Sequence, residues 1–123
     1  GISILIGAIG IINTMTTSVL ERKREIGIMK AIGARNENIF FQFFIESSLL
    51  GLIGGILGAI VGTLIGVLGT LGINSWIGAE VQPSISFALI FFSLLGSFIL
   101  GGLAGISPAM SAARQNPVDA LRG

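Results

Sequence analysis

With 123 residues, of which 52% are hydrophobic and only 11% charged, and with a mean hydropathy of +0.94, the chain lies outside the composition of soluble globular domains and reads as a membrane protein. It contains no cysteine and no histidine, which excludes disulfides, thiolate or imidazole metal sites, Ser-His and Cys-His catalytic groups and histidine proton relays. The formal net charge of +1 says little by itself, but eight of the thirteen Asp, Glu, Lys and Arg residues fall between Glu21 and Glu37.

Residues 2–19 form the first apolar segment, about 27 Å long as a helix and slightly short of a hydrocarbon core of roughly 30 Å. That shortfall, together with Gly1-Ile2-Ser3 in place of an initiator Met and the lack of a basic n-region or cleavage pattern, reads as a fragment that begins inside a helix. The far end turns polar through Asn13, Thr14, Thr16, Thr17 and Ser18, side chains that can bond carbonyls one turn back or a neighbouring helix. The helix is expected to continue unbroken into the charged stretch.

On a helix at 100° per residue, Ile26, Ile28, Met29 and Ile32 gather within an arc of roughly 160°, with Lys23 and Lys30 opposite. This predicts a short amphipathic element ended by Gly33 as a left-handed cap. Asn36 is then expected to cap a new helix with Glu37 in its first turn, where a negative charge suits the helix dipole. From Ile39 the chain is apolar to Ile73, about 52 Å if helical, so the first turns are read as interfacial and the crossing is placed at 47–72. Gly51, Gly55, Gly58, Gly62 and Gly66 recur there at three- and four-residue spacing, the small-residue pattern that lets helix backbones approach in lipid. Residues 74–86 break the apolar pattern and hold Trp76, suited to an aromatic belt, with no Lys or Arg. The third span is placed at 87–106. Ser107-Pro108 and Asn116-Pro117 each read as an N-cap followed by proline at the first helical position, which predicts two short closing helices within 107–123.

Basic residues set the orientation. Arg22, Lys23, Arg24, Lys30 and Arg35 flank the first junction, none flanks the second, and Arg114 and Arg122 follow the last span. The positive-inside rule places the first junction and the C-terminus in the cytoplasm and residues 74–86 outside. The expected fold is an all-α membrane protein of three transmembrane helices, with a cytoplasmic helix between the first and second.

Two motifs add a resemblance. The run Ser18-Val19-Leu20-Glu21-Arg22 through Arg24-Glu25-Ile26-Gly27, Lys30-Ala31 and Gly33-Ala34, and the closing run Pro108-Ala109, Ala112-Ala113, Pro117-Val118, Ala120-Leu121-Arg122, are similar to the C-terminal part of the MacB/FtsX/LolC-like permease family of ABC transporters. Gln42-Phe43 with Glu46 is a third, weaker match. The resemblance implies that residues 20–38 hold a cytoplasmic coupling helix seated in a groove of an ATP-binding subunit or fused ATPase domain. Ile28, Met29 and Ile32 would fill that groove, and Glu21, Arg22, Arg24 and Glu25 would make polar contacts around it, the usual anatomy of apolar anchors within a polar rim. It also implies a dimer of permease copies in the inner or plasma membrane that acts as a lever on an extracytoplasmic target, without a solute pore. ATP and Mg would belong to the partner ATPase. The family's first helix and extracytoplasmic domain are not in this sequence, and with them goes most of the information on substrate.

Each signal has a plainer reading. The charged run could be only a topological anchor, but an anchor needs neither the apolar face nor the glycines. Arg22 to Arg24 could also meet anionic lipid. Glu46, a turn or two inside the boundary, could titrate for function or be bonded structurally, and its shallow position favours the structural role. The glycine stripe could be a homodimer seam, though packing within the chain is favoured. Arg114 and Arg122 either reinforce topology or belong to helices that brace the coupling element or the ATPase. No P-loop surrounds Lys30, so the chain is not expected to bind ATP, and it has no paired acid and base for catalysis. Two other function classes, a glycine-rich ion-translocating subunit using Glu46 and a secondary carrier fragment, lack a mid-bilayer carboxylate and inverted repeats respectively.

Overall fold

A computed structural model describes residues 1–122. Every regular element among them is an α-helix: α1 Ile2–Glu21, α2 Lys23–Ala31, α3 Asn36–Ile77, α4 Phe87–Ala113 and α5 Pro117–Arg122. Residue 123, the last of the expected tail, lies outside the described residues. Helices α1, α3 and α4 are long and apolar enough to cross a membrane. Within 2–19, 47–72 and 87–106 there is no Asp, Glu, Lys or Arg that would have to be satisfied in lipid.

The three helices are joined by corners with identifiable causes. In α1 the hydroxyls of Thr14, Thr16 and Thr17 donate to the carbonyls of Gly10, Ile12 and Asn13 one turn back, as expected. The helix does not run unbroken into the charged stretch. It is interrupted at Arg22 (φ −97°, ψ 14°), although the Arg22 N–H still bonds Ser18 O and Ile26 N–H bonds Arg22 O, each at 3.0 Å. The interruption is confined to the single residue that separates α1 from α2. At the other end of α2, Gly33 has φ +101°. Gly33 N–H bonds Lys30 O, and Ala34 N–H bonds Met29 O, the paired bonds of a Schellman motif, in which a left-handed residue closes the helix. Arg35, in extended conformation, is the residue that precedes α3, and Asn36 is helical with no side-chain capping bond. The cap expected of Asn36 is therefore absent, because α3 starts one residue earlier than expected and Arg35, with no capping side chain, occupies the N-cap position.

Helix α3 runs for 42 residues, about 63 Å and twice the thickness of a hydrocarbon core. It continues through Trp76, which the sequence had placed in the loop, and stops at Gly78 with φ +65°. The loop is pinned by Asn74, whose amide donates to Val81 O at 2.7 Å and accepts from Val81 N–H at 3.2 Å. Ser86 then caps α4 by accepting from Leu89 N–H.

The largest departure from expectation is at Pro108. It lies inside α4, buried, and the helix passes through it to Ala113, so one short helix closes the chain and not two. Ser107-Pro108 matches an N-cap signal locally, but proline is tolerated within membrane helices where neighbouring helices pack against the disturbed turn, and Pro108, Ala109 and Ala112 are all buried. Asn116-Pro117 does start α5, with Asn116 Oδ1 accepting from Val118 N–H at 3.1 Å.

Packing is uneven along the helices. The core comprises Met15 and Val19 of α1, Ile26 of α2, Ile39 and Phe43 of α3, and Ala109 and Ala112 of α4, all at the charged end. Just beyond it α3 and α4 approach almost backbone to backbone: a Cβ on Gly51 would lie 2.8 Å from the Cα of Gly101, and one on Gly105 would strike the side chain of Ser47. Toward Trp76 the helices part, leaving between them a cavity of about 520 Å³ bounded by Gly58, Gly62 and Gly66 of α3, Ser93 of α4 and the 81–86 loop.

Candidate docking surface

The charged end carries a compact platform made of α2 and α5, and its geometry follows from a few contacts. Ile26 is fully buried against the ends of α1, α3 and α4, which fixes one face of α2 inward. Gly27 is buried beside it, and a Cβ there would lie 2.7 Å from the Cβ of Ala120 and 3.5 Å from Pro117 O. A glycine in mid-helix weakens a helix by roughly 1 kcal/mol relative to alanine. Here it is required by the close seat of α5 on α2. The closing motif thus braces the charged helix, one of the two readings left open for it.

Two cations tie the ends of α2 to the long helices. Arg22 Nε bonds Glu25 and Arg22 Nη1 bonds Glu46 of α3, both at 3.2 Å, while its guanidinium lies 5.4 Å from the centre of the buried Phe43 ring, within cation–π range. Glu46 therefore has a structural partner. The ammonium of Lys30 donates to the carbonyls of Ala113 and Gln115, where α4 ends and the chain turns toward α5. Burial lowers the Lys30 pKa from the ordinary lysine value.

The residues singled out from the sequence divide accordingly. Ile28 is 46% and Ile32 82% exposed, and with exposed Glu21, Arg24 and Glu25 they face away from the helices. Met29 is partly buried and packs on the core, so the apolar arc read from periodicity is split between an inward edge (Ile26, Met29) and an outward one (Ile28, Ile32). Arg22 is half-buried in its ion pairs. In the glycine stripe, Gly51 and Gly55 lie at the α3–α4 contact, whereas a Cβ on Gly58, Gly62 or Gly66 would meet nothing within 4 Å. The complementary glycines on α4, Gly101 and Gly105, were missed, although their four-residue spacing is the same signal. Lys30 and Ala120 were missed as contact residues, and no local pattern marks a contact across more than eighty residues.

The family model described as FtsX-like permease C-terminal matches residues 1–117. Among curated proteins, an uncharacterized ABC transporter permease of Methanocaldococcus jannaschii is 43% identical over 99% of this chain and 31% of its own length. A second uncharacterized ABC transporter permease, YknZ of Bacillus subtilis, is 43% identical over 99% of this chain and 29% of its length. The macrolide export ATP-binding/permease protein MacB 1 of Yersinia pestis is 43% identical over 98% of this chain and 18% of its length. The chain thus spans less than a third of each of these relatives. With a match over nearly all of its residues and three helices able to cross a membrane, the chain belongs to the FtsX-like permease C-terminal family.

Proposed function

We propose that this chain is the transmembrane part of an ABC transporter permease and that α2 is its coupling helix, receiving movement from a cytoplasmic ATPase and passing it across the membrane. The observation that carries the reading is the two-sided character of α2. Its inner edge is locked to α1, α3 and α4 through Ile26 and Arg22, while its outer edge presents Ile28 and Ile32 within a rim of Glu21, Arg24 and Glu25. Exposed apolar anchors in a charged rim suit a protein partner, and a rigid inner attachment suits transmission of force.

In this reading the charged end and the C-terminus are cytoplasmic, Trp76 and the 78–86 loop are extracytoplasmic, and residues 20–38 form the coupling element. ATP and Mg bind the partner ATPase, as a separate subunit or fused domain, and this chain performs no hydrolysis. Two copies of the permease work together in the inner or plasma membrane on an extracytoplasmic target. Glu46 is a structural residue, its carboxylate held by Arg22, which disfavours an ion-translocating role.

The test is a double substitution, Ile28→Asp with Ile32→Asp, in the full-length permease. The protein is expected to insert normally but to lose co-purification with its ATPase, because the anchors are replaced by charges that cannot be desolvated cheaply. Undiminished co-purification would contradict the assignment of α2 as the docking helix.

A further inference from the structure

We propose that Lys30 is a positioning residue that joins α2 to the end of α4, so that the docking helix and α4 move as one body. This rests on the reading of α2 as the ATPase-docking element. Arg22 already ties the start of α2 to α3 through Glu46 and Phe43. The backbone of α2 makes no extended contact with that of α3 or of α4, and its buried link to the ends of both is Ile26. At the far end of α2 the polar link to α4 is the Lys30 side chain, whose ammonium donates to Ala113 O and Gln115 O.

The chemistry of that contact is specific. Ala113 is the last residue of α4, and a helix C-terminus leaves carbonyls without intrahelical donors and carries partial negative charge. An ammonium supplies several donors and the opposite charge at one point. The chain turns at residues 114–116 around this group and returns as α5 onto Gly27, so the α4–α5 corner is wrapped on a side chain of α2. The side-chain oxygen of Gln115 at the same corner is buried without a donor. Force applied to α2 then reaches α3 through Arg22 and α4 through Lys30, two helices already locked together at Gly51 and Gly101.

The chain has no cysteine, which allows paired spin labels at Ala31, exposed at the end of α2 and outside the docking anchors, and Met110 in the full-length permease bound to its ATPase, with a separate Ile28→Cys protein reporting docking by crosslinking. The native protein is expected to give a narrow label distance that does not change between ATP-analogue and ADP states. Lys30→Met should broaden that distance and make it nucleotide-dependent while the Ile28→Cys crosslink persists, and Lys30→Arg should restore the narrow distance. A narrow, unchanging distance in Lys30→Met with the crosslink intact overturns the role of Lys30. If Ile28→Cys does not crosslink in the otherwise native protein, the docking reading fails. The broadening without nucleotide then still decides whether Lys30 joins α2 to α4. Should Lys30→Met not accumulate in membranes, Lys30→Gln, which keeps two N–H donors but no charge, replaces it and should broaden the distance less.

Discussion

Replacing Gly51 by alanine should weaken the protein out of proportion to the single methyl group added. A Cβ at Gly51 would lie 2.3 Å from Ser97 O and 2.8 Å from the Cα of Gly101, where ordinary contact begins at 3.4 Å. The obstructing atoms are backbone and cannot swing aside, so α3 and α4 must part locally by about 1 Å, and overpacking of this kind costs roughly 1–3 kcal/mol. In lipid the loss is not offset by a hydrophobic drive, because helix association there rests on close van der Waals contact. Gly62 is the internal control. A Cβ there meets nothing within 4 Å, and removing a helical glycine gains up to roughly 1 kcal/mol. Reversible unfolding of the full-length permease in mixed micelles under increasing SDS should therefore show Gly51→Ala destabilised by about 1–3 kcal/mol and Gly62→Ala unchanged or slightly stabilised. Equal behaviour of the two variants would refute the claim that only the charged-end half of the stripe is a packed contact.

Other expectations follow from the same geometry. Glu46→Gln should cost no more than about 1 kcal/mol, since the ion pair is partly exposed, and should leave permease-dependent ATPase activity in place; a folded but inactive Glu46→Gln protein would restore the titrating role. Gly27→Ala should dislodge α5, seen as faster proteolysis of the C-terminal helix, and Ala120→Gly in the same protein should reverse it, because the contact at issue is between those two Cβ positions. Failure of that rescue would separate α5 from Gly27. Ile26→Ala should destabilise by about 2–5 kcal/mol as a truncated core residue. Ile28→Ala should change stability by less than about 0.5 kcal/mol while reducing ATPase association, a contrast measured by unfolding and co-purification of the same two proteins.

Much of this architecture is legible in the sequence because it is written in local chemistry. Long apolar runs bounded by charge define three helices, and Gly33 announces a left-handed corner wherever a helix-compatible run ends in glycine. Asn116-Pro117 likewise starts a helix as its side chains dictate. Pro108 misleads for the same reason: Ser-Pro carries an N-cap signal, and only the packing of its neighbours against other helices lets α4 pass through. Periodicity placed Ile26, Ile28, Met29 and Ile32 on one face but could not tell which edge of that face turns toward the protein's own helices, since burial of Ile26 depends on Met15, Phe43 and Ala109 from three separate segments. The partners of Arg22 and Lys30 were hidden likewise, because a flexible charged side chain finds its acceptors through the fold.

The central claim is that the outer edge of α2 meets an ATPase, and crosslinking tests it most directly. Single cysteines at Ile28, Ile32 and, as a control, Trp76, which is 92% exposed at the opposite end, can be placed in the full-length permease and challenged with a bifunctional thiol reagent in membranes containing the ATPase. Crosslinks from Ile28 and Ile32, altered by nucleotide, with none from Trp76, are the predicted result. An unreactive Ile28 and Ile32 beside an active ATPase, or a crosslink from Trp76, would contradict the account.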